Sequence, residues 1–170
     1  MVDLIGVEED LKTAFAGESQ ANRKYLAFAQ KAEKDGFPNV ALMFKVIAEA
    51  ETVHALNHFR VLGEIKSTKE NLEAAKTGEN YEVTTMYPPM EDGAKKAGNK
   101  AATGTFHYAL ETEKLHQGLY TEAIKSVTEG KDIKKKKYWV CPVCGCTGEG
   151  EPPVKCPICG AKKELFKKFE

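Results

Sequence analysis

Four stretches of this chain carry apolar residues in alternating steps of three and four, and each stripe is interrupted near its middle by glutamate. The first reads Leu11, Ala14, Glu18, Ala21, Tyr25, Phe28, and the second Val40, Phe44, Ile47, Glu51, His54, His58, Val61, Ile65. The third, Leu72, Ala75, Glu79, Glu82, Met86, Met90, keeps its phase into Pro88 and Pro89, which must kink or break it. The fourth reads Phe106, Ala109, Glu113, His116, Tyr120, Ala123, Val127. Steps of three and four put each set on one face of a helix turned toward a core. Gly36 with Pro38, Gly63 with Ser67 and Thr68, Gly98 with Asn99, and Gly130 separate or end the stretches, so four helices are expected.

A carboxylate taken out of water without a partner is costly, and no Lys or Arg shares these stripes to pair with one. Metal cations are the natural partners. The chain also repeats itself: GluAlaGluThrValHis at 49 to 54 matches GluThrGluLysLeuHis at 111 to 116. Glu18 precedes Glu51 by 33 residues and Glu82 precedes Glu113 by 31, which implies two helical hairpins of one plan. A single Glu-x-x-His is weak evidence, being no more than a surface pair on a helix. Two copies in phase with their stripes match a ferritin-like dimetal site, in which two helices give a Glu each and two give Glu-x-x-His. Glu18, Glu51, His54, Glu82, Glu113 and His116 fill that pattern, Glu79 is a seventh candidate, and oxygen with imidazole ligands suits iron or manganese. His58 and His107 read as structural or supporting residues. Tyr25, Tyr87 and Tyr120 read as packing residues able to donate to ligating carboxylates.

All five cysteines fall between residues 141 and 159. Cys141-x-x-Cys144 and Cys156-x-x-Cys159, with eleven residues between the pairs and a glycine after each, predict a tetrahedral four-thiolate site that zinc or a single iron fits equally. Cys146 is left over as a free thiol. Thiols used this way point to a reducing compartment. With 170 residues and 42% hydrophobic content the chain can bury a core, and its formal net charge of zero favours neither nucleic acid nor anionic lipid. The only basic block, LysAspIleLysLysLysLys at 131 to 137, reads as a solvated linker. The acidic start, MetValAspLeuIleGlyValGluGluAspLeuLys, lacks the apolar region of a signal peptide, and no run is long enough to span a membrane, so a cytoplasmic chain is expected. The domains expected are 1–130, a helical bundle; 131–137, the linker; and 138–170, the cysteine domain.

Together AlaGlyGluSerGln (16 to 20), the two Glu-x-x-His helices, GlyGluAsnTyrGluValThrThrMetTyrPro (78 to 88) and the CysProValCysGly and CysProIleCysGly knuckles resemble rubrerythrin across nearly the whole chain. The resemblance implies an all-α ferritin-like four-helix bundle with a small C-terminal rubredoxin-like domain. It implies three iron ions per chain: a diiron site on Glu18, Glu51, His54, Glu79, Glu82, Glu113 and His116, and one iron on Cys141, Cys144, Cys156 and Cys159. The function implied is a non-haem peroxidase that reduces hydrogen peroxide with electrons passed through the rubredoxin-like iron. The upstream donor would be a rubredoxin or an NAD(P)H-dependent reductase. A homodimer or higher homo-oligomer is expected, because the short tail reads as unable to reach its own diiron site. The resemblance further suggests that one iron exchanges Glu82 for His54 on reduction. Two positions depart from the family: Thr85 stands where Glu is frequent, and Cys146 where an aromatic usually follows the knuckle. A ferroxidase or iron-storage protein is the rival enzyme class, and a zinc-binding module the rival non-enzyme.

Overall fold

The computed structural model describes residues 4–170, so the first three residues of the acidic start lie outside the described range, as do the side chains of Leu4 and Ile5. The chain divides into two compact units, one ending at Lys66 and the other beginning at Ser67.

The first unit is a hairpin of α1 (Leu4–Lys34) and α2 (Pro38–Val61). Gly36, with φ of +82°, makes the turn, and Pro38 opens α2 where a missing N–H costs nothing. The helices meet along small residues: Ala29, Ala32, Ala41, Ala48 and Ala55 are buried, which lets the backbones approach closely. Asn22 crosses this seam, its Nδ2 donating to the Ala48 carbonyl at 2.6 Å and to Thr52 Oγ1 at 2.8 Å. Phe15 stacks on Phe59 at 4.9 Å, and Tyr25, Phe28 and Phe44 cluster toward the turn.

The second unit begins with a capping box. Ser67 Oγ accepts from the Glu70 N–H, and the Glu70 carboxylate accepts from the Ser67 N–H. The third expected helix is present as α3 (Thr68–Tyr81), a π-helical segment (Glu82–Met86) and α4 (Tyr87–Lys96) in unbroken succession. The two prolines therefore neither break nor end it. Pro88 and Pro89 have no N–H to offer the preceding turn, and the Tyr87 N–H reaches back five residues to the Glu82 carbonyl. Helix α5 (Lys100–Thr128) is capped by Asn99, whose Oδ1 accepts from the Ala102 N–H at 3.0 Å, and it packs on α3 and α4.

The tail forms a three-stranded antiparallel sheet in the order β2 (Thr147–Glu149), β1 (Tyr138–Val140), β3 (Lys167–Phe169). Its core is Trp139, Phe166, Cys141, Cys146 and Cys156. Gly148 lies opposite Trp139, and a Cβ there would come within 2.3 Å of the indole, so the ring occupies the space a side chain would need. The basic segment is tied down more than a solvated linker would be. Lys136 Nζ donates to Glu122 of α5 at 2.7 Å and to Glu149 of β2 at 2.8 Å, and Lys137 pairs with Glu170. Those contacts hold the Lys136 ammonium well above its ordinary pKa.

Candidate metal centres

In the first unit α1 supplies Glu18, and α2 supplies Glu51 and His54 one turn apart. These three bring one ligand atom each within 4.8 Å of one another. His54 Nδ1 lies 2.9 Å from Glu51 Oε2 and 3.9 Å from Glu18 Oε1. The His54 side chain is 54% exposed, against 15% for Glu51. His58, a turn further on, is half-buried and outside the group.

The second unit repeats the arrangement with Glu79 on α3 and Glu113 and His116 on α5. His116 Nδ1 lies 2.6 Å from Glu113 Oε2 and 3.6 Å from Glu79 Oε1. Glu82 joins at the start of the π segment, where it neighbours Glu79 but is not part of the compact trio. Burial raises the pKa of Glu79 above the carboxylate norm, and Glu113 reinforces the shift. Burial likewise raises Glu82, with Glu79 adding to it, and burial raises Glu113. Tyr87 and Tyr120 feel the same cluster: burial first, then the neighbouring carboxylates, keep their phenols protonated. His107 stands apart, 3.5 Å from Glu91.

One atom tests whether a cation suits this cluster. Glu79 Oε2 is buried and has no hydrogen-bond partner, while its neighbours are carboxylates and a histidine. An orphaned anionic oxygen facing more oxygens is unfavourable in a metal-free protein and becomes a ligand when a cation is bound. The donor set of carboxylate oxygens and one imidazole nitrogen per trio fits iron.

The third cluster is Cys141, Cys144, Cys156 and Cys159, again within 4.8 Å of one another. Cys141 and Cys159 sulfurs are 3.6 Å apart, and those of Cys144 and Cys156 3.5 Å. The two knuckles are built alike. Gly145 and Gly160, with φ of +84° and +75°, turn their N–H groups back to the Cys141 and Cys156 carbonyls at 2.9 Å. Cys141 N–H then donates to Cys146 O and Cys156 N–H to Ala161 O, each at 2.8 Å. Burial opposes ionisation of Cys156, yet the backbone N–H groups of Cys159 and Ile158 together with hydrogen bonds from Cys144 and Cys159 outweigh it and hold this thiol at about 7. Cys146 is fully buried beside the cluster, and burial pushes its thiol up to about 12. It is a packing residue in the place of the aromatic.

The tail sits on its own chain's α5 at Thr112, next to Glu113, and at His116, about one turn beyond it. Thr112, buried, donates to the Cys144 carbonyl at 3.1 Å, and His116 Nε2 lies 3.2 Å from Thr147 Oγ1. The sequence led to the expectation that the tail falls short of its own diiron site; the tail contacts one of that site's candidate ligands, His116, in its own chain. Lys136 pairs with Glu122 of α5 and with Glu149 of β2, tying the connecting segment to both. Thr112 and Thr147 went unread in the sequence. The repeat held one signal, since Thr112 replaces Ala50 of the first Glu-x-Glu-x-x-His copy; Thr147 had none.

A family model described as Rubrerythrin matches residues 9–124, and one described as the rubredoxin-like domain of rubrerythrin matches residues 139–167. Rubrerythrin-2 of Clostridium acetobutylicum is 42% identical, the alignment covering 94% of each chain. Nigerythrin of Nitratidesulfovibrio vulgaris is 33% identical over 93% of this chain and 84% of its own. A solved structure of nigerythrin in its fully reduced, all-ferrous state superposes with a TM-score of 0.57 at 32% identity, covering 96% of this chain and 86% of that one. Among the described residues no helix is long and apolar enough to cross a membrane. The fold class is all-α and ferritin-like with a small C-terminal rubredoxin-like domain, and the chain belongs to the rubrerythrin family.

Proposed function

We propose that this protein is a non-haem diiron peroxidase that reduces hydrogen peroxide to water in the cytoplasm, as part of oxidative-stress defence. The observation that carries the reading is the hydrogen bond between a four-cysteine domain and His116, itself one of a carboxylate–histidine trio with an orphaned buried oxygen. Glu18, Glu51, His54, Glu79, Glu82, Glu113 and His116 would hold two irons, and Cys141, Cys144, Cys156 and Cys159 a third. Iron bound there would supply two electrons for cleavage of the peroxide O–O bond, with two protons needed to give two waters. Tyr87 and Tyr120, kept protonated beside the carboxylates, can donate hydrogen bonds toward that site. Glu79, Glu82 and Glu113 bind protons readily and can hold those the reaction consumes. The exposure of His54, twice that of His116 at 54% against 27%, supports a ligand that comes and goes with redox state, with Glu82 as its alternate.

A donor such as a rubredoxin or an NAD(P)H-dependent reductase would reduce the tail. Leu42, Met43, Val46, Val53 and Leu56 of α2 are exposed, open apolar surface that a second copy of the chain would cover in a homo-oligomer. A ferroxidase or iron store needs the carboxylates but no docked thiolate site. Protein purified without oxygen should contain three irons per chain, turn red on oxidation, and consume peroxide with a reduced rubredoxin. A colourless, zinc-loaded tail without turnover would favour the binding module, and iron uptake without peroxide turnover would favour storage.

A further inference from the structure

We propose that Thr147, a residue of the cysteine domain, is a positioning residue for His116, fixing the tautomer in which Nδ1 faces the carboxylates free of a proton and Nε2 carries one. A threonine hydroxyl has one proton to give and can accept from other donors. Thr147 gives its proton to the Gly145 carbonyl at 2.8 Å. Toward His116 Nε2, 3.2 Å away, it therefore accepts, and Nε2 must carry the hydrogen. A neutral imidazole protonated at Nε2 presents a bare lone pair at Nδ1. That nitrogen faces Glu113 Oε2, 2.6 Å away, and Glu79 Oε1, 3.6 Å away; without metal the 2.6 Å contact requires a proton on the carboxyl side, and a cation seated among the three atoms takes that proton's place. Thr147 so commits His116 to metal binding through Nδ1 before any metal arrives.

The same hydroxyl joins the two candidate centres. From His116 the hydrogen-bonded chain runs through Thr147 to the Gly145 carbonyl, next in sequence to Cys144, while Thr112 holds the Cys144 carbonyl from the other side. The turn at 145 requires a glycine because its φ is +84°. Among the described residues His54 shows no such bond through its second nitrogen, so the device distinguishes the two Glu-x-x-His copies. The inference rests on the peroxidase reading only for its consequence, that electrons enter at the His116 iron of the same chain.

Zinc-loaded full-length protein, which is diamagnetic, allows the imidazole nitrogens and protons of His116 to be read by NMR. Wild type should show a slowly exchanging Nε2–H and a metal-bound Nδ1. Thr147→Ser should retain both. Thr147→Val should lose the exchange protection and bind zinc at this trio roughly tenfold more weakly in a chelator competition, in line with the loss of a partner that orients a ligand. A His116 protonated at Nδ1 in wild type, or a Thr147→Val protein with unchanged protection and affinity, would overturn the proposal. The absorption of the iron-loaded tail checks that valine leaves that domain folded; if it does not, Thr147→Ala against Thr147→Ser decides by the same two readouts. None of these depends on peroxide turnover, so a protein that keeps the tautomer but reduces no peroxide would refute the peroxidase reading alone.

Discussion

Glu79, Glu82 and Glu113 hold protons more tightly than free carboxylates because burial and mutual proximity disfavour their charged forms. Above the ordinary carboxylate value the folded metal-free protein thus binds more protons than the unfolded chain, and stability falls as pH rises through the folded values. Thermal melts of metal-free protein from pH 4.5 to 7 should show this loss, and Glu79→Gln, which cannot ionise, should flatten it. Equal slopes for the two proteins would mean the cluster is not strained by its charge. Metal should remove the slope, since bound cations turn the repulsion into ligation. His54 makes a separate residue-scale case. If His54 is the exchanging ligand proposed above, His54→Ala should cut peroxide turnover more than it cuts iron content; equal losses of iron and turnover would argue for a fixed ligand.

At the scale of elements, the tail has little material with which to absorb an error. Its strands are three residues long, and the indole of Trp139 lies where a Gly148 side chain would project, packed edge-on against Phe166 at 5.0 Å. Gly148→Ala should therefore destabilise this domain by about 1–3 kcal/mol through overpacking. The check is loss of the Fe(Cys)4 absorption at lower temperature while the helical circular dichroism melts as in wild type. The first hairpin packs through alanines, so an enlarged Ala48 would push the backbones apart; α3 instead depends on its Ser67 cap. The π segment belongs to the same scale: it lets the helix continue past two prolines with Glu79 before it and Glu82 at its first position.

On the scale of the whole molecule, the docked tail places the four-cysteine cluster against the helix that carries His116 and Glu113. Deleting residues 138–170 should leave helices that react once with peroxide and then turn over poorly with a protein donor, and unchanged turnover would show that electrons enter elsewhere. The deletion also uncovers Thr112, so Thr112→Ser in the full chain, which keeps the hydroxyl, is the matched control. Sedimentation at micromolar concentration should find a homo-oligomer, because α2 leaves Leu42 and Val46 about 60% exposed. A fully active monomer would remove the need for that cover.

The sequence alone carried the helical stripes, the two Glu-x-x-His copies and the paired cysteine knuckles, because each is written in local spacing. A step of three or four residues sets which side chains share a helix face, and two intervening residues set a thiolate knuckle. Even Pro88 and Pro89 announced an irregularity at the right place, though not that a π turn would carry the helix through. What spacing could not say is which segment docks on which. Only the tertiary structure brought Thr147 to His116 and Thr112 to Cys144, pairs separated by 31 and 32 residues. Lys136, paired with both Glu122 of α5 and Glu149 of β2, bridges the same two segments. Such long-range contacts arise from shape and charge across surfaces, for which neither threonine has a signature of its own.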